Sequence, residues 1–184
     1  MSKRIAYLAA AAFSALSLTS TFVAPARAEE KTVMVGGAAM YPSKNIIQNA
    51  VNSKDHTTLV AAVKDAGLVQ TLEGKGPFTV FAPTNTAFGK LPAGTVDNLV
   101  KPENKATLTK ILTYHVVPGK LEASDLKDGQ KLKTVEGEEL TVKKSGSSVM
   151  IVDAKGGSST VTIPNVNQSN GVIHVVDTVL MPAS

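Results

Sequence analysis

The C-terminal stretch, residues 170–182, constrains the fold of this chain more than any other segment. It begins with Asn170-Gly171, continues through mostly β-branched residues and ends at Pro182. Asn-Gly is the strongest short hairpin signal, because both residues tolerate the positive φ that a type I′ turn requires. The apolar run after it is typical of a largely buried strand. Since this most apolar strand comes last, the core cannot be completed until the end of the chain is in place.

The first 28 residues have the pattern of a cleaved signal peptide. Lys3 and Arg4 precede an apolar run over residues 5–24, and the Ala-Arg-Ala sequence at 26–28 fits a signal-peptidase site. The alternative is an N-terminal membrane anchor, because the apolar run approaches the length of a spanning helix. Serine and threonine residues within the run favour cleavage. We therefore expect an exported protein, periplasmic or extracellular, with no transmembrane segment after cleavage of residues 1–28.

Charge and cysteine content narrow the function classes. Residues 1–28 contain three basic residues and no acidic one, so the remaining chain has 19 − 3 = 16 basic against 15 acidic residues. This near balance and the lack of a Lys/Arg cluster argue against nucleic acid as a partner, although the whole sequence has a pI of 9.2. The chain contains no cysteine, so it must be stabilised by packing alone and cannot carry a lipid on a cysteine after the signal.

The part that follows the signal, 184 − 28 = 156 residues, is long enough to bury the core of one domain. We predict a flexible N-terminal tail over residues 29–41, because a short apolar run there is followed by Gly36-Gly37 near a chain end. The domain itself is predicted over residues 42–182.

Hydrophobic spacing within the domain changes from helical to strand-like. Helices are predicted at 44–51, 53–66, 84–91, 95–99 and 102–112. Gly67 is placed to end the helix predicted at 53–66. Thr84 and Thr95 are placed to cap the helices predicted at 84–91 and 95–99. Strands are predicted at 78–82, 114–117, 131–135, 140–143, 149–152 and 160–166. Helices gathered first and strands gathered last predict an α+β fold around a mainly antiparallel sheet.

Three stretches of this chain resemble the signature motifs of fasciclin-like domains. They are residues 79–88, residues 112–119 with a central Tyr-His pair, and residues 170–182, in the order found in that family. The resemblance covers residues 42–182. The chain is most similar to small, secreted, single-domain bacterial fasciclin proteins. It implies a β-wedge or sandwich of mainly antiparallel strands flanked by several short helices. The structural signature residues it points to are Thr79, Phe81, Pro83, Thr84, Phe88, Asn170, Gly171, His174 and Asp177.

The resemblance also implies a non-enzymatic role in adhesion, with a surface protein or polysaccharide as partner. In animal relatives, the Tyr-His region and an Asp-Ile type segment before the last motif are linked to integrin binding. Tyr114 and His115 match the first region, whereas Asn165 stands where an Asp is common in the second. The candidates for partner binding are therefore Tyr114, His115, Asn165, Val166, Asn167 and Asn170.

The candidate residues also have a structural interpretation. Strand alternation would place Tyr114 and His115 on opposite faces, with one ring packed inward and hydrogen-bonded to backbone. His174, in an apolar strand, could donate to a carbonyl and tie two elements together, and Asp177 could bind a lysine or a backbone N–H. The three histidines are dispersed and no cysteine is present, so we expect neither a metal nor another cofactor.

Two functions remain open at this stage. The first is a secreted adhesion or interaction module, expected to be a monomer. The second is a periplasmic small-ligand carrier or envelope stress protein, which requires an apolar cavity. No nucleophile elbow and no phosphate-binding glycine loop is present, so we do not expect an enzyme.

Overall fold

A computed structural model describes residues 31–183, and the predicted signal peptide lies outside the described residues. The helices are α1 (Ile46–Ala50), α2 (Thr57–Ala66), α3 (Val69–Glu73), α4 (Asn85–Gly89), α5 (Thr95–Leu99) and α6 (Lys105–Tyr114), with 3₁₀ turns at Lys54–His56 and Pro102–Asn104. Within the described range, none of these helices is long and apolar enough to cross a membrane.

The strands are β1 (Val33–Val35), β2 (Ala38–Met40), β3 (Phe78–Pro83), β4 (Val116–Pro118), β5 (Lys131–Lys133), β6 (Glu139–Ser145), β7 (Ser148–Val152), β8 (Ser158–Gln168) and β9 (Gly171–Val176). The first two form a separate hairpin, and the other seven form one sheet in the order β4-β3-β9-β8-β7-β6-β5. All neighbours in this sheet are antiparallel except β3 and β9, which are parallel. The structure confirms the predicted α+β class.

The two ends of the seven-stranded sheet meet. The Val135 N–H, just after β5, donates a 2.8 Å hydrogen bond to the Val116 carbonyl at the start of β4. The sheet is therefore rolled into a nearly closed barrel with an inner and an outer face. Strand alternation directs successive side chains of β3 to these two faces, so Val80 and Phe81 lie in different cores.

The inner face of the sheet surrounds one core and the helices cover a second. We call the first the barrel core; it includes Phe81, Tyr114, Leu140, Ile151 and Leu180. We call the second the helix-side core; it packs sheet residues such as Val80, Val166 and Ile173 against Leu59, Val63 and Leu108. Every element that carries a candidate residue contributes to at least one of these cores.

The prediction of a flexible tail over residues 29–41 is wrong for residues 33–40. These residues form the β1–β2 hairpin, in which Val35 and Met40 are buried in the helix-side core. The Gly36 carbonyl also accepts a hydrogen bond from the Lys54 N–H, at 3.2 Å. A two-stranded hairpin is marginal alone, so its apolar side chains are ordered by contacts with the helices, which local sequence does not reveal.

Two of the three predicted helix boundaries are confirmed. Gly67 follows α2 with φ 75°, the left-handed conformation expected of a C-terminal glycine. The Thr84 hydroxyl accepts a hydrogen bond from the Ala87 N–H and so caps α4. Thr95 does not cap α5, because the helix already begins at that residue, and Gly94 occupies the cap position.

The predicted type I′ turn at Asn170-Gly171 is also wrong. Gln168 pairs with Gly171, so the loop consists of Ser169 and Asn170, and neither Asn170 nor Gly171 has a positive φ. The glycine is required for a different reason. A Cβ atom at Gly171 would overlap the backbone carbonyl of Phe78, its partner across the parallel β3–β9 pair. The absence of a side chain lets β9 approach β3.

Substitution of Gly171 tests this close approach. We expect Gly171→Ala to lower the free energy of unfolding by more than about 3 kcal/mol, because backbone rather than a flexible side chain must move. Chemical denaturation monitored by circular dichroism would measure it. Gly89→Ala is the matched control, since Gly89 lies in α4 with open space around it. Equal stability of the two variants would contradict the steric explanation.

Candidate functional site

Tyr114 and His115 lie at the end of a helix, not in the predicted strand. Tyr114 is the last residue of α6, and its ring packs in the barrel core, whereas Leu108 and Ile111 earlier in the helix pack in the helix-side core. His115 is the C-cap, and β4 begins only at Val116. The helix therefore continues beyond its predicted end at residue 112, into the residues whose β-branched neighbours predicted a strand from 114.

His115 joins the end of α6 to the C-terminal segment. It is 2% exposed, and its Nδ1 lies 2.8 Å from the Ile111 carbonyl, which can only accept. Its Nε2 lies 3.0 Å from the Leu180 N–H, which can only donate. The ring is therefore neutral, with its proton on Nδ1. Burial lowers the pKa of His115 to about 4, although the Ile111 carbonyl and Asp153 favour the charged form.

Tyr114 is buried in the barrel core and its hydroxyl is hydrogen-bonded twice. It donates to the Glu139 carbonyl at 3.2 Å and accepts from the Ala154 N–H at 2.9 Å. Burial raises the pKa of Tyr114 to about 12, so the hydroxyl keeps its proton at neutral pH. The side chain thus links α6 to the strand and turn on the other side of the barrel.

His174 and Thr79 hold the loop after β4. The His174 Nε2–H donates to the Leu121 carbonyl at 2.7 Å, and its Nδ1 accepts from the Asn165 N–H at 3.3 Å. The Thr79 hydroxyl donates to the Gly119 carbonyl and accepts from the Leu121 N–H. The predicted contact of His174 with a carbonyl is confirmed. Burial lowers the pKa of His174 and keeps it neutral.

Asn165 and Asn167 are half-buried in β8, and Val166 between them is buried in the helix-side core. Asn165 has φ 57°, and its side-chain oxygen accepts a 2.7 Å hydrogen bond from the Ala123 N–H. Asparagine tolerates this left-handed conformation better than most residues. Asn165 therefore shapes the irregular part of β8 that faces the 121–123 segment.

Asn170 is buried and connects three parts of the helix-side region. Its side-chain oxygen accepts from the Ile46 N–H at the start of α1, and its side-chain nitrogen donates to the Leu72 and Gly74 carbonyls at the end of α3. Its own carbonyl accepts from the Phe78 N–H. The side-chain amide and the carbonyl of Asn170 therefore form their hydrogen bonds within the protein.

Asp177 accepts hydrogen bonds from the Thr160 N–H at 2.9 Å and from the Thr178 hydroxyl at 3.1 Å, and its second oxygen lies 3.5 Å from Lys90 Nζ. The prediction that it binds a lysine or a backbone N–H is confirmed on both counts. Burial alone would raise its pKa, but these hydrogen bonds and the Lys90 charge lower it. The ion pair is largely exposed, so it contributes little to stability.

The structure does not bring the six partner-binding candidates together on an exposed face. Four of them are buried and two are half-buried. The buried residues are Tyr114, His115, Val166 and Asn170, and the half-buried ones are Asn165 and Asn167. The polar side-chain groups of Tyr114, His115, Asn165 and Asn170 bind backbone on other segments, whereas Asn167 donates to the Asn165 carbonyl in its own strand and its buried Oδ1 has no hydrogen-bond partner among the described residues. Tyr114 and His115, 0% and 2% exposed, are not accessible to a partner in this conformation. In the described part of the chain, no group of three or more His, Cys, Asp or Glu side chains could hold a metal ion.

Sequence reasoning missed the exposed apolar residues of the N-terminal region. Met34 on β1, Tyr41 after β2 and Val51 after α1 are 59%, 40% and 49% exposed. Val135, between β5 and β6, is the other large apolar side chain exposed to this degree within residues 31–183. Met34 and Tyr41 lie in the predicted tail, to which no surface could be assigned, and Val51 lies at the end of the helix predicted at 44–51.

Comparison with known proteins assigns the family. The fasciclin domain family matches residues 54–182. Protein sll1483 of Synechocystis sp. is 45% identical over 178 residues, which cover 97% of this chain and 95% of that protein. Immunogenic protein MPB70 of Mycobacterium bovis is 34% identical over 195 residues, covering 95% of this chain and 96% of that protein. The chain belongs to the fasciclin domain family.

Two further relatives are informative. Cell surface glycolipoprotein MPB83 of Mycobacterium bovis is 39% identical over 153 residues, which are 80% of this chain and 64% of that protein. A solved FAS1 domain pair from the insect cell adhesion molecule fasciclin I superposes with a TM-score of 0.68 and 19% identity, covering 77% of this chain and 52% of that chain. This superposition confirms the predicted fasciclin-like fold.

Stability should fall as the pH falls from 6.5 to 4. In this window the unfolded chain protonates His115 but the folded protein does not, because burial lowers the folded pKa from 6.5 to about 4. For His115 alone we expect a loss of about 2–3 kcal/mol in the free energy of unfolding between pH 7 and pH 4.5. Burial of His56 and His174 acts in the same direction.

Denaturant titrations at constant ionic strength would measure this dependence. Asp177 adds little in this window. Its pKa is lowered in the folded protein, so the stability it contributes is lost only as the pH falls below its ordinary value of 3.8. The matched variant is His115→Gln, which should be less stable at pH 7 but should lose less stability on acidification. An identical pH slope in the variant and the wild type would contradict the assignment to His115.

Removal of the Tyr114 hydroxyl should destabilise the fold. Tyr114→Phe leaves the Ala154 N–H and the Glu139 carbonyl without this partner, so we expect a loss of about 1–3 kcal/mol in the free energy of unfolding. Tyr41→Phe is the control, because the Tyr41 side chain is exposed, and it should change stability by less than about 0.5 kcal/mol. Thermal and denaturant unfolding would test this, and similar effects of the two changes would contradict the structural role.

Proposed function

We propose that the protein is an exported, non-enzymatic interaction module that binds a protein or polysaccharide on a cell, matrix or host surface. Family membership supports the proposal, as does similarity to a protein described as a cell surface glycolipoprotein. A fold shared with an insect cell adhesion molecule is consistent with it. The residues of this chain suggest which surface makes the contact.

The observation that carries the proposal is the exposure of three large apolar side chains, Met34, Tyr41 and Val51, in the segments at the start of the described domain. Tyrosine and methionine are enriched at protein interfaces, because they provide contact area with a polar or adaptable group. Exposed apolar side chains mark an interaction surface when they lie close together, and the proposal takes these three to do so. Most of the signature residues, by contrast, are buried in the fold, with Thr84 and Asp177 half-buried.

Backbone and side-chain contacts connect the segments that carry Met34, Tyr41 and Val51. The Asn49 side chain on α1 accepts from the Tyr41 N–H at 3.0 Å and donates to the Tyr41 carbonyl at 2.8 Å. The Gly36 carbonyl in the hairpin turn accepts from the Lys54 N–H. Lys44 Nζ lies 4.9 Å from the centre of the Tyr41 ring, a cation–π contact that orients the ring. The surface is therefore preorganised.

Replacement of the three exposed residues tests this surface. We expect the triple variant Met34→Ser, Tyr41→Ser, Val51→Ser to bind at least about tenfold more weakly, because truncating one well-placed anchor costs roughly 1–2 kcal/mol. Binding of the purified protein to whole cells, envelope polysaccharide and matrix proteins would be measured on one panel.

Val135→Ser is the matched control, because Val135 is 45% exposed but lies beside the β4–β5 closure of the barrel. It should bind like the wild type. Both variants must melt within a few degrees of the wild type for the comparison to hold. Wild-type affinity in the triple variant would contradict the assignment of this surface, and no binding by the wild type to any member of the panel would contradict the adhesion function.

Carriage of a small ligand is the second candidate function, and one observation favours it. A cavity of about 50 Å³ lies in the helix-side core, lined by residues of the β1–β2 hairpin, α1, α2 and the sheet. A carrier function requires such an apolar cavity. Its small volume suits a compact ligand rather than a long lipid.

A further inference from the structure

The net positive charge of the described chain comes from residues 31–54, which include the β1–β2 hairpin and α1. This segment contains three lysines, Lys31, Lys44 and Lys54, and no acidic residue. Residues 55–183 contain the other 16 − 3 = 13 lysines. They also contain 15 − 2 = 13 acidic residues, since Glu29 and Glu30 precede the segment. The charges of the rest of the domain therefore balance, and the segment is the part that attracts anions.

The three lysines of this segment are not neutralised by the domain itself. All three are exposed, and the nearest carboxylate in sequence, that of Asp55, forms no ion pair with Lys54. The ion pairs found among residues 31–183 use other lysines, namely Lys90, Lys110, Lys120 and Lys131. The ammonium groups of the segment can therefore pair with an anion from outside.

Two of these lysines lie near Tyr41. The Lys44 N–H donates to the Tyr41 carbonyl at 3.0 Å, and this turn returns Lys44 Nζ to 4.9 Å from the centre of the Tyr41 ring. Val33 pairs with Met40 in the antiparallel hairpin, so the chain before Val33 runs beside the chain after Met40. This register leads Lys31 towards the same end of the hairpin.

The third lysine marks the opposite end of the hairpin. The Lys54 N–H donates to the carbonyl of Gly36, which lies in the turn between β1 and β2. Positive charge is thus distributed along the hairpin rather than gathered at one point. A single small anion could not contact both ends, so the arrangement favours an extended ligand with repeated negative charges.

The exposed side of α1 adds amide groups to this surface. Asn45, Gln48 and Asn52 are spaced by three and four residues and so share one side of the helical turn. Asn45 Oδ1 and Gln48 Oε1 accept from each other's backbone N–H, and Asn52 Nδ2 donates to the Gln48 carbonyl. Among the described residues, no partner is found for Asn45 Nδ2, Gln48 Nε2 or Asn52 Oδ1. These donors and this acceptor match hydroxyl groups, which both accept and donate.

Tyr41 provides an aromatic surface beside these amides. Its side chain is 40% exposed, and its backbone is bound by the Asn49 side chain on α1. The C–H face of a sugar ring is apolar and can pack against an aromatic ring, whose edge and hydroxyl remain in water. A sugar that also carries a carboxylate would contact the Tyr41 ring and the Lys44 ammonium together.

We propose that residues 31–54 bind an acidic polysaccharide, with Tyr41 packed against a sugar ring and Lys31, Lys44 and Lys54 paired with carboxylates along the chain. The proposal rests on the proposed adhesion function and names the chemistry of the partner. Residues 31–53 precede the region that matches the fasciclin family, residues 54–182. The site therefore belongs to the N-terminal segment and not to the family's signature motifs.

Other polyanions match this surface less well. A helix that lies on an anionic membrane presents an apolar face to the lipid, whereas the exposed side of α1 carries the amides of Asn45, Gln48 and Asn52. An acidic peptide supplies carboxylates but not the row of hydroxyl groups that these amides complement.

The first test compares an acidic oligosaccharide with its neutral ester. Oligogalacturonate carries one carboxylate on each sugar, and its methyl ester keeps the same rings without the charge. Isothermal titration calorimetry with the purified protein at low salt should give an affinity at least about tenfold higher for the acid, and added NaCl should reduce it. Equal affinity for the acid and the ester would overturn the proposal.

Charge variants locate the site. The triple variant Lys31→Gln, Lys44→Gln, Lys54→Gln should bind oligogalacturonate about tenfold more weakly than the wild type. The matched control is Lys64→Gln, Lys101→Gln, Lys155→Gln, which removes the same charge from exposed lysines outside the segment. It should bind like the wild type. An equal loss in the two folded variants would show that affinity follows net charge alone and would overturn the site.

Substitution of Tyr41 tests the contact with the sugar ring. Tyr41→Leu removes the aromatic ring and should weaken binding of the acid and the ester alike, by about fivefold. Tyr41→Phe keeps the ring and should retain the affinity. Undiminished binding by Tyr41→Leu would overturn the role of Tyr41, and because its side chain is exposed, both variants should melt like the wild type.

Further titrations separate this proposal from the adhesion function on which it rests. Polyglutamate and vesicles of phosphatidylglycerol with phosphatidylcholine should bind more weakly than oligogalacturonate, and equal or tighter binding of either would overturn the assignment to a polysaccharide. If neither oligogalacturonate nor alginate binds, but another member of the cell and matrix panel does, the proposed chemistry is wrong and the adhesion function stands. No binding to any of them would overturn both.

Discussion

The parallel pairing of β3 with β9 is the constraint on which the rest of the structure depends. β9 lies inside the sheet between β3 and β8, and all six of its residues are buried. The approach of the two backbones requires a glycine at position 171 and brings Phe78 and Asn170 into hydrogen-bond contact. Because β3 carries the first family motif and β9 the last, this one pairing unites the two most characteristic segments of the chain.

Buried polar side chains extend the effect of that pairing into the loops and helices. His174 on β9 binds the loop after β4, and His115 at the end of α6 binds the segment after β9. The two rings carry their protons on opposite nitrogens, each determined by a backbone partner that can only donate or only accept. The chain contains no cysteine, so the fold relies on such buried hydrogen bonds and on packing rather than on disulfides.

Sequence reasoning predicted the fold class because local rules and tertiary structure agree over most of the domain. The left-handed Gly67 and the Thr84 cap depend only on neighbouring backbone, so their patterns were sufficient. The N-terminal hairpin, the end of α6 and the turn before β9 depend on distant contacts, so their patterns misled. The burial of the candidate partner-binding residues could not be predicted for the same reason. The Tyr-His pair is visible in the sequence, whereas its burial depends on Glu139, Ala154 and Leu180, all distant along the chain.

The closure of the sheet between Val135 and Val116 has a consequence for the behaviour of the protein in solution. Strands at the open edges of a sheet present unpaired N–H and C=O groups that can recruit strands from other molecules. Here the two terminal strands of the large sheet meet, and short β4 and β5, with Lys131 and Lys133 exposed on the latter, leave little edge for such pairing. The rolled sheet thus protects a disulfide-free protein against edge-to-edge aggregation.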